Sequence, residues 1–95
     1  MKNDLAQAVE GLHNCRASLR STERVIETFK GEVVWEGEVS TFSLKGHPKA
    51  KICYAWSSPI DGSNKQKFYA VLKLPPIKTP QDAVRAAIVS DQKSG

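Results

Sequence analysis

The stretch "GLHNCRASLRSTERVIETFKG", residues 11–31, decides how the chain divides between helix and sheet. Taken with the preceding "DLAQAVE", it places Leu5, Ala8, Leu12, Cys15, Leu19, Thr22, Ile26 and Phe29 at alternating steps of three and four. That spacing keeps one apolar stripe on a single helical face. Asn3 or Asp4 can cap the start, and Gln7 stands three residues after Asp4 as in a capping box. Lys30 suits the negative end of a helix and Gly31 its left-handed stop. The pattern predicts a long helix over residues 4–30, either bent or split in two, because Gly11 and "SLRST" weaken its middle. A helix of about 27 residues runs about 40 Å, longer than a three-stranded sheet can cover. The surplus predicts a surface for a protein partner or a homodimer, with Leu5, Leu12 and Leu19 as contact residues.

Three strands follow. "EVVWEGEVSTFSL" alternates through Val33, Trp35 and Val39, then changes phase to Phe42 and Leu44. The change predicts a bulge near Gly37 to Thr41, or a strand bent to serve both faces. "KAKICYAWS" sets Ala50, Ile52, Tyr54 and Trp56 on one face and Lys49, Lys51 and Cys53 on the other. Asp61-Gly62 centres a turn. "KQKFYAVLKL" then points Phe68, Ala70, Leu72 and Leu74 inward, with Lys67, Tyr69 and Lys73 outward, until Pro75-Pro76 ends the strand. In "TPQDAVRAAIVS", Thr79 is the cap, Pro80 the first helical residue and Asp82 the third. The expected fold is α+β, of order α-β-β-β-α, with a three-stranded antiparallel meander and both helices on one face. Its sheet spans 32–75, its last helix 80–90, and 91–95 frays. The expected core holds Leu12, Leu19, Ile26, Trp35, Ile52, Tyr54, Trp56, Phe68, Leu72, Val84 and Ile88.

Ninety-five residues, 40% hydrophobic and 25% charged, make a single globular domain, 1–95. No apolar run approaches the length of a membrane span, and the N-terminus lacks an export signal, so a cytoplasmic protein with reduced thiols is expected. The net charge of +4 is unevenly spread. Residues 1–44 carry five basic and seven acidic side chains, whereas residues 45–95 carry nine and three. Such a split bears on partners rather than on fold.

Enzyme signatures are missing. Gly31, Gly37, Gly46 and Gly62 stand alone, so no phosphate loop forms, and no serine occupies a nucleophile elbow. Glu36 and Glu38 share one side of a strand, where ion pairing with a neighbouring strand's lysines is the expected role. His13, Cys15, His47 and Cys53 match no zinc-ligand spacing, and no cofactor or metal is expected. The basic half remains. Lys45, His47, Lys49, Lys51, Lys67, Tyr69 and Lys73 form the expected contact set for an anionic partner, nucleic acid foremost: lysines hold phosphates and an exposed aromatic stacks a base.

The element order resembles that of double-stranded-RNA-binding domains. Gly46-His47-Pro48 stands where that family has a Gly-Pro-x-His loop, with the order altered. Thr79-Pro80-Gln81-Asp82 opens the last helix without the family's paired lysines. The resemblance is one of topology over residues 15–90 and does not extend to the binding residues.

Overall fold

The computed structural model describes residues 4–59, 62 and 64–94. Its elements are α1 (Asp4–His13), β1 (Arg16–Phe29), β2 (Glu32–Lys45), β3 (Ile52–Pro59), β4 (Gln66–Leu72) and α2 (Pro80–Ser94). The protein is α+β with an antiparallel sheet, but the order is α-β-β-β-β-α, and the sheet has four strands in the order β1-β2-β3-β4. The expected 4–30 helix stops at His13, where Asn14 takes a positive φ of 53° and its N–H bonds Glu10 O at 2.8 Å. Helix α2 in turn continues to Ser94, through most of the tail expected to fray. Asn3 and Asp61, placed at a cap and a turn by sequence, lie outside the described residues.

Residues 16–29 form a strand because they find a long partner. β1 pairs with β2 from Arg16↔Lys45 to Phe29↔Glu32 across a Lys30-Gly31 turn in which both residues have positive φ. Thr22, Val25, Ile26 and Thr28 are β-branched and suit a pleated surface better than a helix. The register shifts between Leu19 and Ser21, leaving Arg20 as an extra residue. This bulge explains the helical stripe. It carries Leu19 and Thr22, three apart, to the same face, and ordinary alternation then keeps Thr22 and Ile26, four apart, together. A bulged strand has thus reproduced the three-four spacing of a helix. A second shift between Glu27 and Thr28 leaves Val34 extra on β2. A flat fourteen-residue strand would span about 45 Å. The longest dimension of the molecule is 39 Å, so the hairpin twists and bends at these bulges.

The helices cover opposite faces rather than one. β3 pairs with β4 as Cys53↔Leu72, Tyr54↔Val71 and Trp56↔Tyr69. Tyr54 and Trp56 therefore share a face with Val71 and Tyr69, not with Phe68 and Leu72 as the alternation of each strand alone suggested. Val9 of α1 packs on Phe42, Leu44, Ala50, Cys53 and Ala55, with Ala70 and Leu72 beside them. Ala83 and Val84 of α2 pack on Val25, Val39, Tyr54 and Trp56, with Trp35 and Ile88 beside them. The phase change along β2 needs no bulge at Gly37–Thr41, since Val39 serves the α2 layer while Phe42 and Leu44 serve the α1 layer. A Cβ at Gly37 would lie 2.9 Å from Cη2 and Cζ2 of Trp35, so a larger residue there would have to displace the Trp35 ring.

Several expected core residues are exposed as a result. Leu12 and Leu19 are each 61% exposed, and Ile26 and Phe68 are exposed as well. Replacing Leu19 by lysine is expected to change stability by no more than about 0.5 kcal/mol in a denaturant melt. A helical core position would lose several times that.

The sheet edges are closed by side chains from the helices. Ala17 N–H donates to Glu10 Oε2 (2.9 Å), Gln81 Nε2 donates to Ile26 O (2.9 Å), and His13 Nε2 meets Ala70 O at 3.0 Å. Together with the Arg20 bulge and the charged Glu23 and Arg24, these contacts blunt strand-to-strand association. At the start of α2, Thr79 Oγ1 accepts from Asp82 N (3.1 Å), and Asp82 Oδ2 accepts from Thr79 N (3.2 Å) and Lys78 N (3.0 Å). This is the reciprocal cap anticipated from "TPQD". These amide bonds, Lys78 first, hold the Asp82 carboxyl below its usual range.

Candidate functional site

Antiparallel pairing gathers the start of β1, the end of β2, the start of β3 and the end of β4 at one end of the sheet. Arg16 and Lys45 lie directly opposite each other there. The β2–β3 loop bears Lys49 and Lys51, and it closes through Leu44 N–H donating to Lys51 O at 2.8 Å. Lys73 arrives alongside, its N–H bonded to Ile52 O at 2.9 Å. Lys78 stands apart from these, just before α2, its carbonyl held by the Tyr54 hydroxyl at 3.2 Å and its N–H by Asp82 Oδ2 at 3.0 Å. Lys45, Lys49, Lys51, Lys73, Lys78 and Arg16 are all exposed, and among the described residues none forms an ion pair. Like charges directly opposite on a ladder destabilise the pair unless something compensates.

Inside the loop, Gly46 takes φ +94°, a conformation side chains rarely adopt. His47 is half-buried, and its Nδ1 accepts from the N–H groups of Lys49 (3.1 Å) and Ala50 (3.0 Å). His13, at the end of α1, meets it edge-on with ring centroids 5.9 Å apart. His47 thus belongs to the loop's scaffold, while the lysines form its outer rim.

Lys67 and Tyr69 do not join this rim. Lys67 is paired with Ser58 and Tyr69 with Trp56, toward the other end of β4. Lys73 lies six residue steps beyond Lys67, about 20 Å along a strand. The Tyr69 ring stacks on Trp56 (centroids 5.1 Å apart, planes 7° apart) and has the Lys67 ammonium 5.1 Å from its centroid. Tyr69 is committed to the α2 layer instead of being presented to a base. Arg16 takes the opposite path. Sequence reading placed it mid-helix, and only its pairing with Lys45 reveals it as part of the rim. Of the expected partner residues, Leu5 packs on the α1 core, while Leu12 and Leu19 sit on different elements.

The other chemical groups are engaged in structure. Glu36 forms an ion pair with Arg24, and Glu38 lies opposite the same arginine, so the expected cross-strand pairing is made with arginine rather than lysine. Both cysteines are free thiols, and Cys15 packs beside the core that contains Cys53. Burial, with a smaller contribution from Cys15, pushes the Cys53 thiol up to about 12, so it stays protonated and is a poor nucleophile. Among the described residues, no three His, Cys, Asp or Glu side chains converge on a metal position, and no helix is long and apolar enough to cross a membrane. The chain matches no known protein family, no curated protein and no solved structure. Four strands also separate it from the three-stranded order of double-stranded-RNA-binding domains.

Proposed function

We propose that this protein is a non-catalytic binding module for an anionic polymer, nucleic acid foremost, which it holds at the basic end of its sheet. The supporting observation is the convergence of Arg16, Lys45, Lys49, Lys51 and Lys73 from separate segments, none of them in an ion pair among the described residues. Cations from one loop alone would be an ordinary solvated surface. Cations brought together by β1, β2, the β2–β3 loop and the β4–α2 connection form a concentrated field that favours phosphates. Among the described residues no helix contributes to the rim to read base edges, so binding is expected to be strongly salt-dependent and weak in sequence preference. A cytoplasmic setting, where thiols such as that of the buried Cys53 stay reduced, accords with this role.

The test is a salt titration of binding to duplex DNA, duplex RNA and single strands. On duplex DNA, log affinity against log salt should fall with a slope of about −0.9 per phosphate neutralised. Lys49→Glu/Lys51→Glu should lower affinity at least about tenfold and flatten the slope by about 1.8, two phosphate contacts being lost. Equal binding by the double variant would show that the rim is the wrong surface. No binding by wild type at low salt would leave the protein-partner reading, which draws on the 61% exposure of Leu12 and Leu19 and is checked by light scattering at increasing concentration.

A further inference from the structure

The loop carrying Lys49 and Lys51 closes at its base through Leu44 N–H and Lys51 O (2.8 Å), and within it one imidazole holds the backbone. His47 Nδ1 receives the N–H groups of Lys49 and Ala50 at 3.1 and 3.0 Å. Backbone amides can only donate, so this nitrogen presents a lone pair and the ring proton sits on Nε2. The other face of the arrangement is also fixed. His13 lies edge-on to the ring and is itself anchored, its Nε2–H donating to Ala70 O at 3.0 Å. His47 therefore ties the loop backbone to α1 and, through His13, to β4.

We propose that His47 is a proton-operated latch: neutral, it orders the Lys45–Lys51 loop, and protonated at Nδ1 it accepts neither bond and releases the loop. Histidine is the side chain that ordinarily changes charge between about pH 5 and 8. Lys45, Lys49 and Lys51 stand on its own loop and His13 faces it from α1, while Glu10 of α1 is already engaged by the Ala17 amide. The consequence for ligand binding rests on the proposed role of the rim. A histidine that merely lines a cationic patch would strengthen anion binding on protonation. Here the added charge comes at the expense of the loop geometry that places Lys49 between Lys45 and Lys51, which the β1–β2 ladder and the Leu44–Lys51 bond position.

The test is amide-exchange protection at Lys49 and Ala50 in the full chain, followed by NMR between about pH 8 and 5 with the His47 ring signals as the titration marker. Wild type is expected to lose about tenfold protection at both amides as the ring becomes an imidazolium, the equivalent of one hydrogen bond. In His47→Asn, the carboxamide oxygen can take the same bonds and has no proton to gain, so protection should hold constant. Wild-type amides that stay protected while the ring titrates would overturn the latch. So would a ring that stays neutral throughout, or a His47→Asn variant that loses protection in parallel. Duplex binding is measured separately: its absence at every pH removes the role of the rim but leaves the amide result to stand for the latch.

Discussion

Trp56→Ala is expected to be the most damaging single substitution, lowering stability by about 3–5 kcal/mol. Trp56 is 2% exposed and sits where three strands and a helix meet. Trp35 of β2 packs edge-on to it at 6.0 Å, Tyr69 of β4 stacks on it at 5.1 Å, and Val84 of α2 closes the same cluster. Truncation removes both ring contacts and leaves a cavity that this small sheet cannot close without moving α2. A domain of this length holds about 5–14 kcal/mol in total. The loss should thus appear as a fall of roughly 15–30 °C in Tm, with a lower denaturant midpoint and an unchanged slope. A loss below about 1 kcal/mol would mean that the two tryptophans do not share a packed layer.

The second large effect is expected at Glu27, a carboxylate whose side chain is 8% exposed on the α2 side of β1. Arg85 grips it with Nε to Oε2 at 2.8 Å and Nη2 to Oε1 at 3.3 Å, and Gln81 Nε2 adds a bond to Oε1 at 2.8 Å. These three bonds fasten α2 to the projecting β1–β2 hairpin. Glu27→Ala should cost about 1.5–3 kcal/mol, the range for hydrogen bonds to a charged group. The loss of a fully buried pair would be larger, but the Arg85 side chain is 59% exposed and can regain water. The Arg85 bonds, followed by that of Gln81, hold the Glu27 carboxyl below its ordinary 4.5, and burial opposes them only in part. Because the unfolded chain then binds this proton more readily than the folded one, stability rises with pH across the interval between the two values. The Glu27 contribution is complete above the ordinary carboxylate range and is lost as pH falls through the depressed folded value. Acid titration of stability should therefore converge for wild type and Glu27→Ala, and the gap between them should be widest at neutral pH. A gap that stays constant down to pH values of strong acid would show that charge plays no part at this joint.

Legibility differed element by element. β2, β3 and β4 were readable because alternation and flanking Gly, Pro and Asp residues are local signals, and α2 because its cap is written in four consecutive residues. β1 was not, since the Arg20 bulge gave Leu19, Thr22 and Ile26 the spacing of a helical stripe. Misplacing that one segment hid two further features. Glu27 is buried only because Arg85 and Gln81 come to it from α2, more than fifty residues away. Arg16 joins the basic rim only through its pairing with Lys45. The rim lysines themselves were legible as a charge excess, whereas the exclusion of Lys67 and Tyr69 required knowing that Tyr69 stacks on Trp56.

An α+β chain with a basic second half, a meander of alternating strands and a capped C-terminal helix is written in the local order of residues. Each of these leaves its mark in composition, alternation or capping residues within single segments of the chain. Long-range pairing sets the remainder: residues 16–29 are a strand, Tyr54 and Phe68 face opposite ways, and the sheet lies between its helices. The physical reason is the reach of the hydrogen bonds. A helix satisfies its backbone within its own segment, so local sequence suffices to specify it. A strand satisfies its backbone on another segment, and a shift of one residue in that pairing turns every side chain to the other face.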